Sequence, residues 1–133
     1  MPAFVTTHRL RFNDTDALGH VNNAVFAVML EQGRSELAAI AGLPIESSGQ
    51  ALVIVRLELD FVQEMAWPGD VRIESEVARL GGRSFTLRQR LIHRGALCAR
   101  AQTVLVIMDR EARRALPIDP WRGGLERFLV PET

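Results

Sequence analysis

Lysine is absent from this chain: all 16 basic residues among its 133 are arginine. That excludes Schiff-base catalysis and any phosphate-cradling P-loop lysine, and the bias is attributed to coding composition rather than function. The lone Cys98 permits no intrachain disulfide. No apolar stretch reaches membrane-spanning length, and the opening MPAFVTTHRLRF has no apolar signal-like run. Charge of one sign is not in excess either. The 16 acidic residues balance the 16 basic ones, so no long-range field draws the chain to nucleic acid or an anionic membrane. Repeats, low-complexity tracts and linkers are also missing. The expectation is one cytoplasmic domain over residues 1–133, with 47% hydrophobic content sufficient for a single core.

The elements follow from patterning. Phe4, Leu10 and Phe12 fall on even positions, a weak period-two signal for a first strand over 4–12. The loop 13–20 interrupts it. Asn22 and Asn23 are good N-cap types, and the next segment runs without proline to Ala41, where Gly42, Leu43 and Pro44 stop it. This is the one long helix. Its first half is apolar on every side, so other structure is expected to wrap it. After a polar turn over 46–50, Val55, Leu57, Leu59 and Phe61 alternate with Arg56, Glu58 and Asp60, predicting a strand with one wet face. A further strand is predicted over 71–77, again with a wet polar face, after a turn at 67–70. Residues 85–94 and 97–108, separated at Gly95, read as a long hairpin. The tail has Pro117, Pro120 and Pro131, with room for at most one short helix around 125–129. The order is α+β: one antiparallel sheet of about five strands around one helix.

The stretch Asp14-Thr15-Asp16-Ala17-Leu18-Gly19-His20-Val21-Asn22-Asn23 packs acid, base and amide groups into the loop that feeds the helix N-terminus. Free backbone N–H groups at such a terminus suit a developing oxyanion. A carboxylate beside them can act as general base or nucleophile on a carbonyl held there. The same residues also read structurally, with Asp14 and Asp16 shaping the turn and the asparagines capping the helix. Spacing alone leaves both readings open.

Read whole, DTDALGHVNNAVFAVMLEQGR resembles the signature of the 4-hydroxybenzoyl-CoA thioesterase-like family of hotdog proteins. Phe61-Val62-Gln63-Glu64 with Gly69-Asp70, Leu80-Gly81-Gly82-Arg83-Ser84, and the run from Val104 to Pro117 also resemble that family, in order. The resemblance implies a hotdog fold, a sheet wrapped around a long central helix, and an acyl-CoA thioesterase. It implies that Asp16 is the catalytic carboxylate and that Asn23 donates a backbone N–H to the thioester oxygen. Leu18 stands where a related plant branch carries an Asn, so Asp16 with water is the simpler mechanism. Phe26 stands where many members carry a tyrosine, so no phenol assists. His20 is expected to orient carboxylate or water, or to protonate the leaving thiolate, though a thiol pKa near 8.5 lessens that need. Its structural alternative is a loop hydrogen bond.

Glu31 matches an acid common in the family's helix, where it lines the pocket or pairs with Arg34 within one helical turn. Arg83 and Ser84 sit where the family's loop approaches the coenzyme arm, and arginine suits bidentate phosphate contact. The resemblance also implies a homodimer or homotetramer, because one open sheet edge otherwise invites aggregation. No cofactor is expected, coenzyme A being part of the substrate, and His8 and His93 lack metal-ligand spacing. Cys98 reads as buried and inert. Gly33 in mid-helix points to close approach of a sheet or partner backbone. The competing readings are a non-catalytic acyl-CoA-binding module and an acyl-thioester hydratase or dehydratase, whose Gly-Asp-x-Asn-Pro run this chain lacks.

Overall fold

The computed structural model describes residues 3–45 and 49–131, so residues 46–48 of the expected polar turn lie outside it. Six strands form one antiparallel sheet: β1 (Phe4–Arg9), β2 (Gln50–Phe61), β3 (Asp70–Leu80), β4 (Phe85–His93), β5 (Ala96–Asp109) and the two-residue β6 (Arg114–Ala115). Their spatial order is β1-β3-β4-β5-β2, with β6 on β5, so β1 and β2 are edges. The β4–β5 hairpin turns at Arg94 (φ 52°) and Gly95 (φ 76°), the doubly left-handed geometry of a tight hairpin whose twist matches its strands.

Helix α1 (Asn23–Ile40, 18 residues) lies across one sheet face and buries Phe26, Met29, Leu30, Gly33, Leu37 and Ala38. Both ends are built as the sequence reads. The Asn22 side chain accepts from Ala24 N–H at 2.9 Å, and Gly42 at φ 83° lets Leu43 N–H reach back to Ala38 O at 2.9 Å. Gly33 is where the sheet comes closest: a Cβ there would stand 2.6 Å from Ile73 Cγ2 and 2.9 Å from Gln89 Nε2.

Four expectations need correction. The first half of α1 is not wrapped within the protomer: Ala24, Ala27 and Val28 stay exposed, because the helix covers β1, β3 and β4 and leaves the β2 side open. In β2 the one dry face expected is not formed: Leu57, Leu59 and Phe61 pair with the buried Thr103, Ala101 and Ala99, but Leu57 and Phe61 stay exposed, and a bulge between Ile54 and Arg56 puts Ile54 opposite Leu105 and leaves Val55 exposed. The polar face of β3 is not simply wet. Glu74 and Glu76 are largely covered by Arg88 and Arg90, which bond them across the strands at 2.9–3.0 Å. The tail helix α2 (Arg122–Glu126) begins before residue 125, because a 3-10 turn at Asp119–Trp121 with proline in its first turn runs straight into it.

Candidate active site

The loop before α1 is closed by its own backbone. Asp16 N–H donates to His20 O at 2.8 Å, Gly19 N–H to Asp16 O at 3.0 Å, and Thr15 bridges to Val21. Gly19 takes φ 85°, which a side chain would resist. Asp14 is the buried anchor of this loop. Its carboxylate accepts from Arg11 N–H at 2.8 Å and Arg11 Nη2 at 3.2 Å, and lies 3.1 Å from His8 Nε2. Its backbone oxygen accepts from Asn22 N–H at 2.8 Å. Burial alone would push the Asp14 carboxyl up, but the hydrogen bonds from Arg11 and His8 outweigh it and hold the group below the usual carboxylate range.

Asp16, two residues on, is exposed, and its Oδ1 accepts from Leu18 N–H at 2.9 Å. The turn-shaping reading therefore describes one oxygen of Asp16 and all of Asp14. Asp16, His20 and Asn23 come together around a groove of about 320 Å³, whose apolar side is Phe26 and Phe61 with ring centroids 5.2 Å apart. At the head of α1 the cap occupies Ala24 N–H, and Asn22 O takes Val25 N–H at 2.8 Å. Asn23 N–H donates to no group among the described residues, and Asn23 lines the groove together with Asp16.

Sequence reasoning missed Glu64 as a site residue. It lines the same groove, and its carboxylate lies 3.0 Å from His20 Nε2. The run Phe61 to Glu64 carried a family resemblance, but pairing across the fold is not visible in spacing. His93 shapes that segment from below, its ring nitrogens 2.9 Å from Asp70 O and from Ala66 O. Ala66 in turn bridges to His20.

The other candidates lie elsewhere in the protomer. Arg83 donates to Ala115 O at 2.9 Å. Ser84 adjoins Phe85, which pairs with Leu105, whereas Phe61 at the groove pairs with Ala99. That separation along β5 amounts to roughly 20 Å of strand rise. Glu31 is exposed on α1 and does not line the groove. The expected ion pair between Glu31 and Arg34 is not formed: Arg34 is buried, and its Nη1 meets Gln89 Oε1 at 3.5 Å. Burial pulls the Arg34 pKa down, with Glu31 opposing. Cys98 is fully buried, and burial pushes its thiol up, against a partial opposing effect of a backbone hydrogen bond at His93. A thiol so placed is a poor nucleophile. Among the described residues no three His, Cys, Asp or Glu side chains are grouped to hold a metal ion, and no helix is long and apolar enough to cross a membrane.

Comparison with known proteins bears on the same region. The model of a family described as the thioesterase-like superfamily matches residues 10–125. The chain is 30% identical over 115 residues to a 1,4-dihydroxy-2-naphthoyl-CoA hydrolase of Synechococcus elongatus, spanning 82% of this chain and 84% of that protein. Among solved structures, a predicted thioesterase from Bacillus stearothermophilus superposes with a TM-score of 0.88 at 30% identity, covering 98% of this chain and 99% of that one. A 1,4-dihydroxy-2-naphthoyl-CoA thioesterase from Synechocystis shares the fold, with a TM-score of 0.83 at 21% identity over 92% of this chain and 95% of that one.

Proposed function

The chain belongs to the thioesterase-like superfamily of hotdog proteins and is a thioester hydrolase; we propose that its substrate is an acyl-CoA and that Asp16 is the catalytic carboxylate. The observation that carries this reading is that Asn23, whose N–H at the head of α1 is unused among the described residues, lines one groove with Asp16. A thioester carbonyl oxygen seated at Asn23 N–H meets an unused donor and the positive end of the helix dipole. Asp16 then takes a proton from water as the hydroxide attacks the carbonyl carbon, or attacks directly to give a mixed anhydride that water opens. Either way the negative charge moves to the carbonyl oxygen, and collapse of the tetrahedral species breaks the C–S bond and releases the coenzyme thiolate. His20, held by Glu64, orients the water or returns a proton to the thiolate.

A second copy completes the assembly in this reading. β2 is an edge strand with Ile54, Leu57 and Phe61 exposed, and the neighbouring flank of α1 exposes Ala27 and Val28. Pairing two chains along this edge covers that apolar surface. Arg83 and Ser84, remote from the groove within one protomer, would then approach the coenzyme from the other copy, and Glu31 would line the acyl site.

The test is thiol release from short, long and aromatic acyl-CoAs by wild type and Asp16→Asn, with binding followed separately. Loss of turnover in Asp16→Asn with binding retained supports the assignment. Binding by wild type without any thiol release makes the chain an acyl-CoA-binding module, and unchanged turnover in Asp16→Asn removes Asp16 from the chemistry.

A further inference from the structure

The sheet face turned away from α1 carries its charges in an order set by strand register. Asp60, Arg100, Arg90 and Glu74 form one row across β2, β5, β4 and β3, and Glu58, Gln102, Arg88 and Glu76 form the next. In both rows the acids stand on β2 and β3, and arginines reach them from the strands between. Arg100 bonds Asp60 at 3.4 Å, Arg90 bonds Glu74 at 3.0 Å and Arg88 bonds Glu76 at 2.9 Å. The third row inverts the pattern. Arg56, Val104, Thr86 and Arg79 put an arginine at both ends and no acid between them.

Arg79 joins that row through a bulge. The register of β3 shifts between Val77 and Arg79, and without the extra residue Ala78 the alternation would turn Arg79 toward α1. Arg56 has only a 3.5 Å contact with Glu58, both side chains being well exposed, and such a pair holds its partners weakly. Arg79 meets no carboxylate among the described residues. Two cavities meet at this row. One of about 330 Å³ is lined by Arg56, Arg79, Thr86, Arg88 and Gln102, with Glu58 as its single acid. The other, of about 230 Å³, shares Arg79, Thr86 and Val104 with it and extends to Gly81 and Ser84 at the turn between β3 and β4. Arg83 lines neither, because its guanidinium is bonded to Ala115 O.

We propose that this cleft binds the diphosphate group of an organic phosphate, with Arg79 as its principal contact. Arg79 and Arg56 stand three strand spacings apart, about 14 Å between Cα atoms, so two long side chains reach into one cavity from its opposite ends. A planar guanidinium matches phosphate oxygens bidentately, and the Thr86 hydroxyl and Gln102 amide between the arginines donate as well. A single carboxylate satisfies one end of the row, whereas a diphosphate reaches both. Two sources carry that chemistry. One is the nucleotide end of coenzyme A, held by the copy whose partner supplies the catalytic groove, since the groove lies on the α1 side of the sheet. The other is a free nucleoside diphosphate. For the first source the proposal rests on the acyl-CoA reading above, and for the second it stands without it.

The experiment titrates wild type, Arg79→Ala, Arg79→Lys and Arg72→Ala with inorganic pyrophosphate, ADP and coenzyme A in a calorimeter. Arg72, bonded to Glu74 on the same face and outside both cavities, is the control for loss of one positive charge. Arg72→Ala should bind pyrophosphate as wild type does, and Arg79→Ala about tenfold or more weakly, the value of one charge-assisted hydrogen bond. Arg79→Lys, with the charge but not the fork, should fall between. Equal losses in Arg79→Ala and Arg72→Ala, or no pyrophosphate binding by wild type, overturn the site. The source is read from kcat/KM for thiol release from an acyl-CoA and from the matching acyl-pantetheine, which lacks the nucleotide. A preference for the acyl-CoA that falls about tenfold in Arg79→Ala assigns the cleft to the coenzyme. A preference that stays, with ADP binding weakened in Arg79→Ala, assigns it to a free nucleotide. A wild type that releases no thiol from either substrate, yet binds coenzyme A more tightly than Arg79→Ala does, overturns the hydrolase reading and keeps the site.

Discussion

His20 Nε2 lies 3.0 Å from a carboxylate oxygen of Glu64, which ties the loop before α1 to the segment after β2 across the groove that both residues line. Both side chains are substantially exposed, at 42% and 74%, so the contact positions the imidazole more than it stabilises the fold. An exposed pair contributes at most about 1 kcal/mol. Glu64→Ala is therefore expected to lower kcat/KM by no more than about fivefold and to leave Tm unchanged. In a double-mutant cycle on kcat/KM the Glu64 effect should vanish once His20 is alanine. A full Glu64 effect in the His20→Ala background would show that Glu64 acts on its own.

Asp14 is expected to hold the loop and not the chemistry. Its folded pKa lies below the unfolded value of about 3.9, so its stabilisation is complete above that value and is lost as pH falls through the folded pKa. Asp14→Asn should cost about 1–3 kcal/mol at pH 7. Urea unfolding of both proteins, repeated down the acid limb below pH 4, should show the gap closing. A gap of constant size would mean that the asparagine loses packing, not charge.

Gly33→Ala sets helix propensity against packing. Alanine gains about 1 kcal/mol in a helix interior, but overpacking a tight contact typically costs about 1–3 kcal/mol. The new methyl would stand 2.6 Å from Ile73 Cγ2 and 3.0 Å from Ser75 Oγ, and it would disturb the Gln89 amide as well. The expected result is a lower denaturation midpoint. A rise would show that Ile73 yields freely.

Cys98→Ala should keep thioester hydrolysis while losing about 1 kcal/mol of stability from the small cavity. A thiol reagent should label Cys98 in urea and not in the native protein, since the side chain is fully buried. Rapid native labelling with loss of activity would contradict the buried, inert role.

Local order explains what could be read without a structure. The Asn22 cap, the Gly42 stop and the hairpin turn at Gly95 depend on neighbours in the chain, and each appears where the residues predict it. The bulge at Val55 was not legible because valine fits either face of a strand, and the register with β5 chooses. The wet face expected for β3 failed because Arg88 and Arg90 come from another strand.

By itself, then, the sequence determined the α+β order of elements, the acid-rich loop at a helix N-terminus and the family to which that loop belongs. The first two rest on turn chemistry, capping and periodicity, set by residues within a few positions of each other, and the third on the resemblance of the whole motif to a known family. Only the tertiary structure decided that Asp14 is buried and Asp16 exposed, that Glu64 meets His20, and that Arg34 turns inward onto Gln89 instead of pairing with Glu31. Those outcomes depend on which strands lie side by side and on what burial does to a charge, and neither is encoded in the spacing along the chain.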